Sequence, residues 1–94
     1  MAKRRIVLSR SFEKAYLKFT RNNVLLRKKV DHSLQELEKD AFSLMLKTHK
    51  LTGKLQGLYA CSCGYDCRIV FSMEKTAHEE VVMLVDIGTH DEVY

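Results

Sequence analysis

The chain has 94 residues, 46% of them hydrophobic, with no proline and only 4 glycines. That is enough for one domain with a genuine core, expected to span residues 1–94, and it leaves no linker, repeat or low-complexity tract for a second. The longest uncharged apolar stretch, Val81 to Val85, is far short of a membrane span, and Ile6 to Leu8 is too short for the core of a secretion signal, so a cytoplasmic protein with no membrane partner is expected.

The net charge of +4 conceals an asymmetry. Residues 1–54 carry 14 Lys/Arg against 5 Asp/Glu, whereas residues 55–94 carry 2 against 7. A basic half of this kind points to a polyanionic partner such as nucleic acid, although lysines also serve simply to solvate helix surfaces. Cys61, Cys63 and Cys67 crowd into one short stretch. An odd, clustered set does not read as a disulfide framework, so reduced thiols are expected. With His49 or His90 these cysteines would supply enough ligands for zinc, but the spacing is not that of a zinc finger, and neither metal nor organic cofactor is expected.

In chain order, Arg5 to Ser9 reads as a short strand. Ser9 or Ser11 can cap a helix whose apolar face is Phe12, Ala15, Tyr16 and Phe19, at helical spacing. Asn22 and Asn23 break that pattern and can cap a second helix, with Leu26, Val30, Leu34, Leu37 and Ala41 as its stripe and Arg27, Lys28 and Lys29 beside it. The break is short enough for a helical hairpin. From Phe42 to Gly57 periodicity is lost, and Lys47 to Gly57 is a basic, glycine-bearing loop. Leu58 to Ser62 is a strand; Cys63 to Asp66 has turn chemistry; Cys67 to Met73, rich in β-branched and aromatic residues, is a second strand. Glu74 to His78 turns again and Val81 to Ile87 is a third strand. The fold class is therefore α+β in the order β-α-α-β-β-β: a small, mainly antiparallel sheet carrying the N-terminal helical hairpin on one face.

The C-terminal half gathers reactive side chains. Gly88-Thr89-His90-Asp91-Glu92-Val93-Tyr94 follows a buried strand, and His49, Asp66 and Arg68 precede it. These are the groups that metal-free cleavage of a phosphodiester requires. Histidine suits the proton steps because it titrates near neutrality. Arginine stays protonated and offers a planar fork to phosphate oxygens. Each residue has a plainer alternative. His49 is an exposed loop histidine, Arg68 guards a strand edge, and Tyr94 lies at a chain end where order is commonly lost. His78 and His32 read as surface residues.

The element order, Thr48-His49-Lys50-Leu51-Thr52-Gly53 followed by Gly57, Asp66 ahead of Arg68-Ile69-Val70-Phe71, and Gly88-Thr89-His90 ending in Glu92-Val93-Tyr94 together resemble the RelE/ParE superfamily of bacterial toxins. Within it the likeness is to the YafQ-like and RelE-like ribonuclease branch, and it runs over essentially the whole chain. One position departs: Ser62 stands where YafQ-type toxins carry a histidine. The resemblance implies the toxin of a type II toxin–antitoxin system, an mRNA interferase that cuts messenger RNA on the ribosome and is silenced by a cognate antitoxin. Any contact with operator DNA would run through that antitoxin. It further implies His90 as the leading acid/base group and His49 as its partner or a phosphate ligand. Asp66 would orient a histidine or take the 2′-OH proton, Arg68 would stabilise the transition state, and Tyr94 would stack on a base or donate its phenolic proton. Lys47, Lys50, Lys54, Arg27 and Lys28 are expected to contact RNA phosphates. A ParE-like, non-enzymatic inhibitor of DNA gyrase and an inactive RNA-binding module are the alternatives.

Overall fold

In a computed structural model, which describes residues 3–94 with side chains from residue 4 onward, the chain forms a five-stranded sheet with three helices. The elements are β1 (Lys3–Leu8), α1 (Arg10–Phe19), α2 (Val24–Lys39), β2 (His49–Lys50), β3 (Tyr59–Ser62), β4 (Arg68–Lys75), β5 (Glu79–Gly88) and α3 (His90–Val93). Short 3-10 turns occupy Leu44–Leu46 and Gly53–Leu55. The sheet order is β1-β5-β4-β3-β2. β1 runs parallel to β5, and every other neighbouring pair is antiparallel. Two elements go beyond the order expected from sequence, namely the two-residue strand β2 and the single turn α3. Both lie where the chemistry-bearing residues are.

Local chemistry sets the helix boundaries. The Ser9 side chain accepts from the Phe12 backbone N–H to start α1, and Asn23 accepts from Leu26 to start α2, each satisfying a donor that has no partner within its helix. Phe12 from α1 and Val30 and Leu37 from α2 enter one buried cluster with Cys61, Ile69, Phe71, Val82, Leu84 and Ile87 from the sheet. Both helices thus bury their apolar stripes against the same sheet face.

A bulge explains the apolar run in β5. The register shifts between Val70 and Phe71, which pair with Asp86 and Leu84 and leave Val85 as the extra residue. Leu84 and Ile87, three positions apart, consequently both reach the core, where a regular strand would send one outward. The Val85 carbonyl accepts the Ser11 hydroxyl at 2.8 Å and the Ser9 hydroxyl at 3.5 Å. Among the described residues, no helix is long and apolar enough to cross a membrane.

One expectation is overturned here. Cys63 and Cys67 are joined by a disulfide across their turn, with Cα atoms 5.0 Å apart, and only Cys61 is a free thiol, buried in the core. The tight turn brings residues four apart into bonding range, a geometry that a search for widely spaced pairs overlooks. The bond also removes two of the thiols that a zinc site would need.

Candidate functional site

Strand alternation places the site. Ile69 and Phe71 of β4 point into the helix-side core, so Arg68, beside Ile69, points to the opposite sheet face. Ser62 pairs with Arg68 and Arg68 with Gly88, forming a row across the end of the sheet. α3 begins two residues beyond Gly88. A Cβ on Gly88 would lie 3.0–3.4 Å from atoms of Glu92 and Val93, so the bare backbone there lets α3 fold down onto the sheet end.

A capping box builds α3. The Thr89 side chain accepts from the Glu92 backbone N–H, and the Glu92 carboxylate accepts from the Thr89 backbone N–H at 2.9 Å. A third tie comes from the turn before β4, where Asp66 Oδ1 accepts from the His90 backbone N–H at 3.0 Å. Gly64 and Asp66 hold φ values of +133° and +50°, left-handed conformations that glycine and aspartate tolerate better than most residues. The carboxylate therefore anchors the first residue of α3 through its main chain; it makes no bond to a histidine ring.

The result is an aromatic and imidazole cluster. The Tyr94 ring lies 4.5 Å from the His90 ring and 6.4 Å from the His49 ring, edge-on to both. Burial pushes the Tyr94 phenol above its ordinary pKa, and the Arg68 guanidinium pulls partly against that shift. His49 Nδ1 stands 3.2 Å from the Lys47 carbonyl, a bond that requires the proton on Nδ1 and leaves Nε2 as the free ring nitrogen in the neutral form. Arg68 Nη1 donates to Cys67 O at 2.9 Å, Ser62 Oγ at 3.2 Å and Gly64 O at 3.4 Å. One edge of the guanidinium is thereby committed to the turn.

An open groove of about 700 Å³ runs along the His90 and Arg68 side of this cluster, lined by Met45, Lys47, Ser62, Gly64, Tyr65, Asp66, Arg68, His90 and Asp91. Among the residues singled out from sequence, Lys47, Asp66, Arg68 and His90 share it. His49 and Tyr94 sit beside it and connect to His90 through the Tyr94 ring. Lys50 lines a separate depression with Leu51, Thr52 and Tyr59, and Lys54 lies on the exposed turn Gly53–Leu55. Arg27 is placed on the α1 side of α2, where it acts on the Tyr16 phenol that donates to Asp31 at 2.8 Å. Lys29, roughly 200° around the helix from Arg27, faces the site instead, lining an adjoining depression with Met45, Ser62 and Gly64. Lys28 lies exposed between them. Sequence reasoning thus missed Lys29, Met45 and Tyr65 as neighbours of the site. Tyr65 alone carried a signal, an aromatic in a glycine turn where no core face exists.

With the geometry in place, comparison with known proteins assigns the family. The profile described as "Bacterial toxin of type II toxin-antitoxin system, YafQ" matches residues 4–94. The chain belongs to the YafQ toxin family. It is a toxin of the type II toxin–antitoxin class. Solved structures of the same fold accompany that match. YafQ from E. coli strain BL21(DE3) is 18% identical, with 97% of this chain and 98% of that one covered and a TM-score of 0.75. A YoeB/ParE toxin from Agrobacterium tumefaciens is 16% identical over 92% of this chain and 98% of that one, with a TM-score of 0.76. The E. coli DinJ-YafQ toxin–antitoxin complex contains a chain 19% identical, with 98% of each chain covered and a TM-score of 0.71. Among curated proteins, no sequence matches.

Proposed function

We propose that this YafQ-family protein is an endoribonuclease that cuts messenger RNA on the ribosome, acting as one toxin domain over the whole chain. The observation that carries the reading is the convergence of His90, Arg68 and Lys47 on one open groove, with Tyr94 edge-on to both His90 and His49.

The chemistry is transesterification. The 2′-oxygen bonds to the adjacent phosphorus, the bond from phosphorus to the 5′-oxygen breaks, and a 2′,3′-cyclic phosphate and a free 5′-hydroxyl result. His90 gives its proton to the departing 5′-oxygen. His49, whose free Nε2 is the basic position in the neutral ring, takes the 2′-OH proton, with Tyr94 between the two imidazoles. Each positioned proton transfer is worth about 10²–10⁴ in rate. Arg68 meets the charge that develops on the phosphorane oxygens with the donors not already bound to the turn, a contribution that is commonly the largest in such reactions. Asp66 serves by holding the His90 main chain, and Lys47 binds the backbone phosphates.

A cognate antitoxin is part of the reading. Solved assemblies of proteins of this fold include the E. coli DinJ-YafQ toxin-antitoxin complex and the YoeB-YefM complex from Staphylococcus aureus. An acidic, partly disordered segment that orders on binding would complement the basic residues of the chain's first half. The test is inducible expression in a bacterium with mapping of new mRNA ends, comparing wild type with His90→Ala. Cuts confined to translated frames, lost in the variant, are expected. Intact messages with altered DNA supercoiling would replace this reading with gyrase inhibition.

A further inference from the structure

The turn that carries Asp66 also holds a side chain with no structural employment. Tyr65 is 101% exposed, whereas its neighbours Cys63 and Cys67 are 3% and 1% exposed. An aromatic ring held fully in water contributes nothing to the core. Its backbone, by contrast, is heavily restrained. Cys63 N–H donates to Cys67 O at 3.0 Å, the disulfide spans the same two residues, Arg68 bonds Gly64 O at 3.4 Å, and Asp66 is tied to α3 at 3.0 Å. A rigid turn presents a bare ring on the wall of a groove where Lys47 and Arg68 stand beside Asp66 and Asp91, with Lys29 in the adjoining depression. Cations that track phosphates and an aromatic face that takes a base are the components of a single-stranded nucleic-acid site.

The groove also continues past the catalytic cluster. Met45, 49% exposed, lines both the main groove and the adjoining depression of about 340 Å³ that Lys29 and His32 close on the α2 side. Gly64 and Lys29 adjoin along this path, since a Cβ at Gly64 would meet the Lys29 stem at an ordinary contact distance of 3.8 Å. The geometry points to a nucleobase seat beside the scissile phosphate, in which Tyr65 stacks on the base, Met45 lies across the same groove, and Lys29 takes the next phosphate along the strand. This rests on the RNA-cleavage reading for its substrate class and adds to it the residue that grips the neighbouring base.

The test is equilibrium binding of a fluorescent 2′-O-methyl pentanucleotide, which cannot cleave itself, by anisotropy across a salt series. Wild type should bind. Tyr65→Ala should weaken binding about 5- to 100-fold and Tyr65→Trp should retain it, as expected for loss and retention of stacking on one base. Lys29→Ala should reduce the slope of log affinity against log salt by about 0.7, the value for one phosphate of a single strand. Because Tyr65 is fully exposed, its variants should melt with wild type, so a binding change reports the seat. Unchanged affinity in Tyr65→Ala, equal losses in the alanine and tryptophan variants, or no binding by wild type would each overturn the seat. So would a Tyr65→Ala effect confined to the cognate antitoxin. Tyr65-dependent binding in a protein that cuts no message would retain the seat and discard the cleavage reading. Cleavage lost in His90→Ala with affinity unchanged in Tyr65→Ala would do the reverse.

Discussion

Asp66 separates two accounts of the site. As a base, its carboxylate would take a proton from the 2′-OH. As an anchor, it would hold α3, and with it His90 and Tyr94, in place. The structure favours the anchor, because Oδ1 is engaged by the His90 backbone N–H at 3.0 Å. A hydrogen bond to a charged group is worth about 1.5–3 kcal/mol when shielded, and solvent screening of this exposed residue lowers that to about 1 kcal/mol. Loss of about 1 kcal/mol raises the population of opened α3 roughly fivefold, a fitting sensitivity for a single helical turn. Three substitutions resolve the contributions. Asp66→Asn keeps an acceptor and tolerates the φ of +50°; Asp66→Gly keeps only the backbone freedom; Asp66→Ala keeps neither, and adds about 1–2 kcal/mol of left-handed strain.

The assays are amide hydrogen exchange at His90–Tyr94 and mRNA cleavage in cells. The anchor account expects Asn to stay within a few-fold of wild type in both. Gly should exchange roughly fivefold faster, and Ala faster again, with cleavage falling in step with the exchange. The base account expects all three to lose about 10²–10⁴ in cleavage while exchange in the Asn variant stays normal. That second pattern would refute the anchor.

Three further outcomes follow from packing and titration. Leu37, fully buried where α2 meets the sheet, should cost about 2–5 kcal/mol as Leu37→Ala in urea unfolding, and an unchanged midpoint would deny that α2 packs there. Reduction of the Cys63–Cys67 bond, which closes a very short loop, should lower stability by about 2 kcal/mol, and identical melts with and without a phosphine reductant would argue against the bond in solution. Burial pushes the Cys61 thiol from 9.0 up to about 12, so the folded state keeps its proton over a range in which the unfolded chain loses it. Stability is then fully present below pH 9 and declines as pH rises toward 12, by roughly 2 kcal/mol near pH 10.5. Cys61→Ala should flatten that decline relative to wild type, and parallel pH curves would contradict it.

Much of the framework was legible because local chemistry and tertiary packing agree. Of the cap candidates Ser9 or Ser11 and Asn22 or Asn23, the structure uses Ser9 and Asn23; the stripes from Phe12 to Phe19 and from Leu26 to Ala41 face the core side, and the strand-rich runs before and after Asp66 form neighbouring strands. What escaped was short or non-local. β2 has two residues and exists because β3 offers it a free edge, with His49 opposite Ala60; no periodicity can reveal a strand of that length. α3 was written in the spacing of Thr89 and Glu92, a capping box with only one turn behind it. Which basic residues of α2 reach the groove depends on the rotation of the helix over the sheet, which places Lys29 on that side and Arg27 against α1. The Cys63–Cys67 bond escaped because an odd cysteine count argues about frameworks and is silent on a single tight turn.

Ser62 shows how the site can dispense with the histidine that YafQ-type relatives carry there. Its hydroxyl accepts from Arg68 Nη1 at 3.2 Å, and the same nitrogen reaches Gly64 O and Cys67 O. An imidazole at this position could supply a proton, whereas the serine restrains the guanidinium. The Cys63–Cys67 bond stiffens the turn whose carbonyls share that task, and Asp66 ties the turn to the residue that begins α3. Arg68 and His90 are therefore referenced to one rigid loop, which fixes the guanidinium relative to the His90 main chain without a further ring between them. On the proposed cleavage chemistry, the arrangement exchanges a proton carrier for preorganisation of charge, and proton transfer would fall to the two imidazoles flanking Tyr94. Under the cleavage reading, Ser62→Ala should then act through Arg68, slowing cleavage without altering its dependence on pH, whereas a serine that carried protons would change the shape of the pH profile.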